Sequence, residues 1–178
     1  VNVYDLSEAQ ISIPVSVGGG ITNAAWSPDG EQIAFGMGVP PDYPVKIWEA
    51  ASGEELVTLL GQEGMADHIK WSPSGDRILT THEDNTVRIW NATTWEPLLT
   101  FTGHEDIVDH WLEGANWSPD GRQIVSVDDG GKVIVWDSDS GTEIVNFSEH
   151  LENATYAAWS PDGAFILSTG TNGEAMIW

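Results

Sequence analysis

Apolar and polar residues alternate along this chain in short runs that are separated by turn-forming residues. Residues 66–101 give a clear case, because Ile69 and Trp71 fall on one side of an alternating run. Alternation with a period of two predicts β-strands, whose successive side chains point to opposite faces. Ser-Pro-Ser-Gly at 72–75 predicts a tight turn, since proline presets φ and glycine accepts a left-handed conformation. The segment therefore predicts four strands, at 66–72, 77–81, 86–90 and 97–101.

The same order of strands recurs along the rest of the chain. An earlier repeat predicts strands at 22–27, 32–36, 45–48 and 55–60, and a later one predicts them at 113–118, 123–127, 132–136 and 143–147. A last repeat predicts only three strands, at 155–160, 165–168 and 174–178. Residues 1–5 and 11–17 match the final two strands of a preceding repeat, and the strand at 11–17 offers a partner for the open sheet of the last repeat. No helical period interrupts this pattern, which predicts an all-β fold.

Two series of tryptophans mark the repeats. Trp-Ser-Pro-Asp-Gly stands at 26–30, 117–121 and 159–163, with the near copy Trp-Ser-Pro-Ser-Gly at 71–75. The tryptophans of this motif are 45, 46 and 42 residues apart. The second series is spaced by 42, 46 and 42 residues and consists of Trp48, Trp90, Trp136 and Trp178. Two markers that share one period establish an internal repeat.

Charge narrows the classes of partner. The chain has 28 acidic and 6 basic residues and a net charge of −22, which repels phosphate backbones and anionic membranes. We therefore expect no nucleic-acid or membrane partner, and either a basic protein or peptide or simple solubility as the role of the charge. No apolar run approaches the roughly 18 residues of a membrane-spanning helix. The lack of cysteine excludes disulfides and thiolate metal sites and is compatible with the cytoplasm.

These repeats resemble the WD40 family. Gly103-His104 opens one repeat and Trp136-Asp137 closes it, and other repeats close with Trp48-Glu49 and Trp90-Asn91. The resemblance implies a β-propeller of four-stranded blades, commonly seven or eight in a ring. It divides the single segment 1–178 into a partial blade at 1–17 and blades at 18–60, 61–101, 102–147 and 148–178, of which the last lacks its fourth strand. Because four blades make an unusually small ring, we expect part of a larger propeller or one half of a ring built from two chains.

A Ser-His-Asp set is the most tempting catalytic candidate, formed by His104, Ser126 and Asp129. The WD40 resemblance implies instead that a His, a Ser or Thr, an Asp and the closing Trp hydrogen-bond inside each blade and fix its packing. We favour the structural role and expect no catalytic residue. The residues implied for this network are His104, Ser126, Asp129 and Trp136, then Thr80, Asp84 and Trp90 in the preceding blade, and His150, Ser168, Asn172 and Trp178 in the last.

The connection at 104–113 breaks the repeat, because it is four residues longer than its counterpart before Trp71. It carries Trp111 among charged residues, and an exposed aromatic residue is a good anchor for a partner. Trp111 folded back onto its own blade is an equal alternative. Asp109, His110 and Glu113 offer a third possibility, a metal site, but no spacing enforces it, and we expect neither metal nor cofactor.

The remaining connections on the same face are acidic, with His68 and His82 as nearly the only potential cations. The residues proposed to bind a partner are Asp109, His110, Trp111, Glu113, His82, Glu83 and Asp128. Residues 137–141 resemble the start of a calcium loop, but Asp, Ser and Gly favour turns for their own reasons.

The sequence thus predicts a non-enzymatic protein-interaction scaffold that presents an acidic loop face to a basic protein or peptide. One alternative is a self-assembling unit in which two chains form an eight-bladed ring. A weaker alternative is a cation-dependent site in the 104–113 loop.

Overall fold

The computed structural model describes residues 2–5, 11–14, 19–61, 64–104, 112–147 and 154–178. All regular elements in these residues are antiparallel β-strands, as the alternation predicts. The described part of the chain contains no helix long and apolar enough to cross a membrane.

Three four-stranded sheets follow one another along the chain, each a meander of sequential strands. The first sheet consists of β3 (Ile21–Trp26), β4 (Gln32–Met37), β5 (Val45–Glu49) and β6 (Glu55–Leu59). The second consists of β7 (Ala66–Trp71), β8 (Arg77–His82), β9 (Val87–Asn91) and β10 (Pro97–Phe101). The third consists of β11 (Leu112–Trp117), β12 (Gln123–Asp128), β13 (Val133–Asp137) and β14 (Glu143–Phe147). Below, each sheet is called a blade and is numbered in chain order.

The fourth blade has three strands, β15 (Ala154–Trp159), β16 (Ile166–Gly170) and β17 (Ala175–Ile177). Near the start of the chain, β1 (Asn2–Asp5) and β2 (Ile11–Pro14) form a separate two-stranded sheet. The expected closure of the fourth blade by the strand at 11–17 is therefore not made in the described residues. In these residues β2 pairs with β1, which lies a few residues before it in sequence.

The Ser-Pro-Asp-Gly turns are held by a repeated set of hydrogen bonds. In the first blade, Ser27 Oγ donates to Asp29 Oδ1 and accepts from the Gln32 amide, while Asp29 Oδ1 also accepts from the Glu31 amide. The hydrogen bond from Ser27 lowers the pKa of Asp29 below its ordinary value. The same bonds recur around Asp120 and Asp162. The motif thus satisfies its own polar groups, which explains why it marks the turn between the first two strands of a blade.

The blades are joined by apolar cores and by hydrogen bonds between their first strands. One core cluster combines Ile47 of the first blade with Ile69 and Trp71 of the second. Trp71 Nε1 donates to the Ala25 carbonyl at 3.2 Å, and Trp117 Nε1 donates to the Lys70 carbonyl at 3.3 Å. In the second and third blades, the tryptophan that begins the motif therefore fixes the blade to the one before it.

Candidate functional site

A β-bulge at the start of the first strand shapes one end of every blade. The strand register shifts between Ala66 and His68 in the second blade and between Leu112 and Gly114 in the third. The unpaired residues at these bulges are Asp67 and Glu113. A bulge changes the direction of the residues around it and often lies beside functional sites. Equivalent bulges lie at Thr22 and Thr155, so that the acidic side chains occur only in the two middle blades.

The two acidic bulges border one pocket of about 440 Å³ between the second and third blades. Its lining residues are Asp67, His68, Glu83, Leu112 and Glu113. Glu83 lies in the turn after β8, where its Oε2 accepts a hydrogen bond from the Met65 amide at 3.3 Å. The pocket is therefore built by strand ends and by one turn that is tied to the preceding connection.

The electrostatics of the pocket favour a positively charged ligand. Burial, and then the carboxylates of Glu83 and Glu113, together raise the pKa of Asp67 to about 6. Burial, and then repulsion by Asp129, also raises the pKa of Glu113. A carboxyl group with a raised pKa resists becoming charged until a positive group comes near. Burial lowers the pKa of His68, and Lys70 lowers it further. The imidazole is therefore uncharged near neutral pH and supplies no positive charge to the carboxylates of the pocket.

The structure distributes the predicted partner-binding residues among three environments. Glu83 and Glu113 line the pocket. His82 and Asp128 are buried inside their blades, because β8 and β12 each extend one residue further than the sequence predicts. Neither side chain can therefore belong to a binding surface. Asp109, His110 and Trp111 lie outside the described residues.

Asp67 and His68 line the pocket but are not among the residues that the sequence predicted to bind a partner. The available signal was the distance to the marker tryptophan, since Asp67 and Glu113 both stand four residues before it. A bulge leaves the residue types of its strand unchanged, so alternation alone does not reveal it.

The Ser-His-Asp set of the third blade is a buried structural network. Trp136 Nε1 donates to Ser126 Oγ at 3.1 Å, and Ser126 Oγ is hydrogen-bonded to His104 Nε2 at 2.8 Å. His104 Nδ1 donates to Asp128 Oδ2 at 2.6 Å. The acid of the network is therefore Asp128, and the expectation of Asp129 at this position was wrong by one residue. Along a strand, residues two apart share a face, so Asp128 joins Ser126 on the side that His104 contacts.

The hydrogen-bonded network has different members in the neighbouring blades. In the second, Trp90 Nε1 donates to Thr80 Oγ1 at 2.9 Å, and His82 Nε2 is hydrogen-bonded to the same hydroxyl at 2.7 Å. Asp84 is not bonded to this pair, because its carboxylate accepts from Thr86 and Arg88 within its own turn.

In the fourth blade, Trp178 Nε1 donates to Ser168 Oγ at 2.8 Å. Asn172 accepts from the Glu174 amide instead, and His150 lies outside the described residues.

The buried network offers no surface for catalysis. Ser126 and His104 are both fully buried, and Phe101 stacks on Trp136 with ring centroids 4.4 Å apart. A substrate would have to displace the core of two blades to reach the serine. The arrangement therefore supports packing, where each buried polar group needs a partner.

The two remaining candidates are metal sites. In the calcium-like turn, Asp137 Oδ1 accepts from the amides of Asp139 and Ser140 and from the Ser140 hydroxyl, as expected of a turn. No group of three or more His, Cys, Asp or Glu residues in the described ranges is placed to hold a metal ion.

A second cavity, of about 530 Å³, lies along the first strands of the first three blades. Trp26, Trp71 and Trp117 contribute to its wall, and Lys70 is the one charged residue among those that line it. The acidic pocket and this cavity therefore differ in charge although β7 and β11 border both.

The repeats match a known family. Residues 53–91, 95–137 and 141–178, about two thirds of the chain, match the family described as WD domain, G-beta repeat. The matches contain all the strands of the second, third and fourth blades. With its repeated tryptophans, antiparallel blades and buried Trp-Ser-His-Asp network, the chain belongs to the WD40 repeat family.

Proposed function

We propose that this chain is a protein-interaction scaffold that binds a basic protein or peptide at the pocket between the second and third blades. WD40 domains generally bind proteins or peptides. The observation that carries the specific proposal is the convergence of Asp67, Glu83 and Glu113 on one pocket. A lysine or arginine side chain would neutralise this group and relieve the repulsion that, after burial, raises the pKa of Asp67.

The charge of the whole chain supports the same class of partner. With a net charge of −22, the protein attracts cationic segments over a distance and repels acidic ones. The pocket would then select among basic segments, because it sets the carboxylates around a confined space. Residues 105–111 precede Leu112 of the pocket in sequence, so we include Asp109, His110 and Trp111 in the proposed surface.

A peptide titration of the full chain tests the proposal. Two fluorescent peptides of equal length, one rich in lysine and arginine and one rich in glutamate, would be followed by anisotropy at low and high salt. We expect the basic peptide alone to bind, and its affinity to fall as salt screens the charges. The double variant Glu83→Gln/Glu113→Gln should weaken binding about 3- to 10-fold, since it removes two charges from the pocket.

The matched control removes two carboxylates elsewhere. Glu54 and Glu96 lie in exposed segments that precede the fourth strands of the first two blades. The Glu54→Gln/Glu96→Gln variant should bind the basic peptide nearly as well as the natural chain. Equal losses in the two double variants would show that only net charge matters and would reject the pocket.

Self-association is a second candidate, favoured by the outer face of the fourth blade. Leu167 is 41% exposed and Ile177 is 75% exposed, although their counterparts by strand register in the third blade, Val125 and Val135, are buried. In the third blade this face is covered by the next blade. A second copy of the chain would bury the same apolar residues in the fourth.

Light scattering over a range of concentrations tests self-association. We expect a species of twice the chain mass of 19.3 kDa, which Leu167→Ser/Ile177→Ser should convert to a monomer. The control is Leu98→Ser, because Leu98 is 50% exposed on β10, away from the outer face. A monomer at every concentration would reject this candidate and leave the peptide-binding proposal untouched.

A further inference from the structure

We infer that Asn172 is a site of spontaneous deamidation, which adds a carboxylate to the turn between β16 and β17. Asn172-Gly173 is the one Asn-Gly dipeptide in the chain. Both residues are exposed, and the turn lies beside the edge strand of the three-stranded fourth blade. Exposed turns at sheet edges open more readily than strands in the core.

The chemistry needs only these two residues and water. The Gly173 amide nitrogen loses its proton to solvent and attacks Cγ of Asn172. The bond from Cγ to the side-chain nitrogen then breaks, and this nitrogen takes up a proton from water and leaves as ammonia. The product is a five-membered succinimide. One water then opens the ring at either carbonyl, which gives an aspartate or an isoaspartyl linkage at position 172.

The local geometry leaves the attacking nitrogen accessible. Gly173 has φ of +82°, and a Cβ added there would meet nothing within 4 Å. Its amide donates a long hydrogen bond of 3.3 Å to the Gly170 carbonyl. Because glycine has no side chain and a wide choice of backbone angles, the approach to Asn172 needs little rearrangement.

The second blade shows that this turn accepts the product. Asp84 occupies the position of Asn172, and its Oδ1 accepts from the Thr86 amide at 3.0 Å, as Asn172 Oδ1 accepts from the Glu174 amide at 3.0 Å. The Asp84 carboxylate also pairs with Arg88, whose counterpart by strand register in the fourth blade is the uncharged Met176. The new carboxylate would therefore lack this cation and would lie beside Glu174.

Peptide mapping by mass spectrometry tests the inference on the full chain at neutral pH. We expect the peptide that contains position 172 to gain the mass of an amide-to-acid change over days and to split into aspartyl and isoaspartyl forms. Asn91 is the internal control, because it ends strand β9 and is followed by the buried Ala92, and its Oδ1 is held by two amides. The Asn172→Gln variant should abolish the change, because its longer side chain cannot form the five-membered ring.

A second arm compares the folded chain with the chain unfolded in denaturant. We expect the folded rate at Asn172 to lie within about tenfold of the unfolded rate, since the turn gives little protection. Equal modification of Asn91 and Asn172 in the folded chain would overturn the inference. So would a folded rate far below the unfolded one, because the turn would then protect the site.

Discussion

The first and third blades fill the same internal position with opposite chemistry. In the third, Ser126 and Asp128 lie on the strand face that receives Trp136 and His104. In the first, the equivalent residues are Phe35 and Met37, which pack with Trp48 in an apolar cluster. Trp48 Nε1 is buried and has no hydrogen-bond partner among the described residues, whereas Trp136 Nε1 donates to Ser126.

A blade therefore needs side chains that fill this internal position more than it needs those side chains to be polar. The apolar version gains burial but leaves one indole nitrogen unbonded. The polar version satisfies the indole but depends on every member of its chain of hydrogen bonds. A group that can be replaced by Phe and Met in another blade serves packing, which is why we assign the Ser-His-Asp set no catalytic role.

The largest effect should come from emptying the apolar version. Phe35→Ala should lower the free energy of unfolding by about 3–5 kcal/mol, because it opens a cavity in the cluster. Phe35→Ser removes nearly the same volume, but the serine hydroxyl can accept a hydrogen bond from Trp48 Nε1. Urea unfolding should therefore show the serine variant to be at least as stable as the alanine variant. A less stable serine variant would mean that the indole is not in need of a partner.

Removing the buried acid should come next. Asp128→Ala leaves His104 Nδ1 without an acceptor in a dry site and should cost about 3 kcal/mol of unfolding free energy. Asp129→Ala is the matched control, since its side chain is partly exposed and should cost under about 1 kcal/mol. Equal costs in urea unfolding would contradict the assignment of Asp128 to the network.

The serine of the network should matter less than its acid. Ser126→Ala leaves Trp136 Nε1 and His104 Nε2 without their shared partner, at a cost of about 1–2 kcal/mol. Differential scanning calorimetry of the single variants Ser126→Ala and Asp128→Ala and of the double variant would measure their coupling. Strictly additive losses would show that the two residues do not act through one network.

The smallest effect should appear in the acidic pocket, where polar groups are only partly buried. Its carboxyl group at Asp67 has a pKa raised to about 6, so folding favours the protonated form. The contribution of Asp67 to the free energy of unfolding is therefore fully present below about pH 4, near its ordinary pKa. This contribution is lost as pH rises through about 6, the raised pKa.

Asp67→Asn should stabilise the protein by about 1 kcal/mol at pH 7, after allowance for solvent screening, and by almost nothing at pH 4. Thermal unfolding at the two pH values measures the difference. A pH-independent effect would show that burial and repulsion do not raise the pKa of Asp67.

The sequence by itself determined the repeat and the way each blade begins. Trp26, Ser27 and Asp29 illustrate why, because the turn they introduce is held by hydrogen bonds among residues two to five apart. Local chemistry of this kind is written in consecutive residues, so the strands, their order and the family could all be predicted. The resemblance to the WD40 family also implied the network residues Ser126 and Trp136, which lie on the two paired strands of one hairpin.

Only the tertiary structure decided which acidic residues face inward and which face a pocket. Asp128 and Asp129 are neighbours of the same type, and one further residue of strand pairing sends the first into the core. Asp67 and Glu113 meet because bulges in two blades lie side by side after the blades have packed. Bulges and strand ends depend on contacts between distant residues, and the alternation of residue types within one strand does not record them.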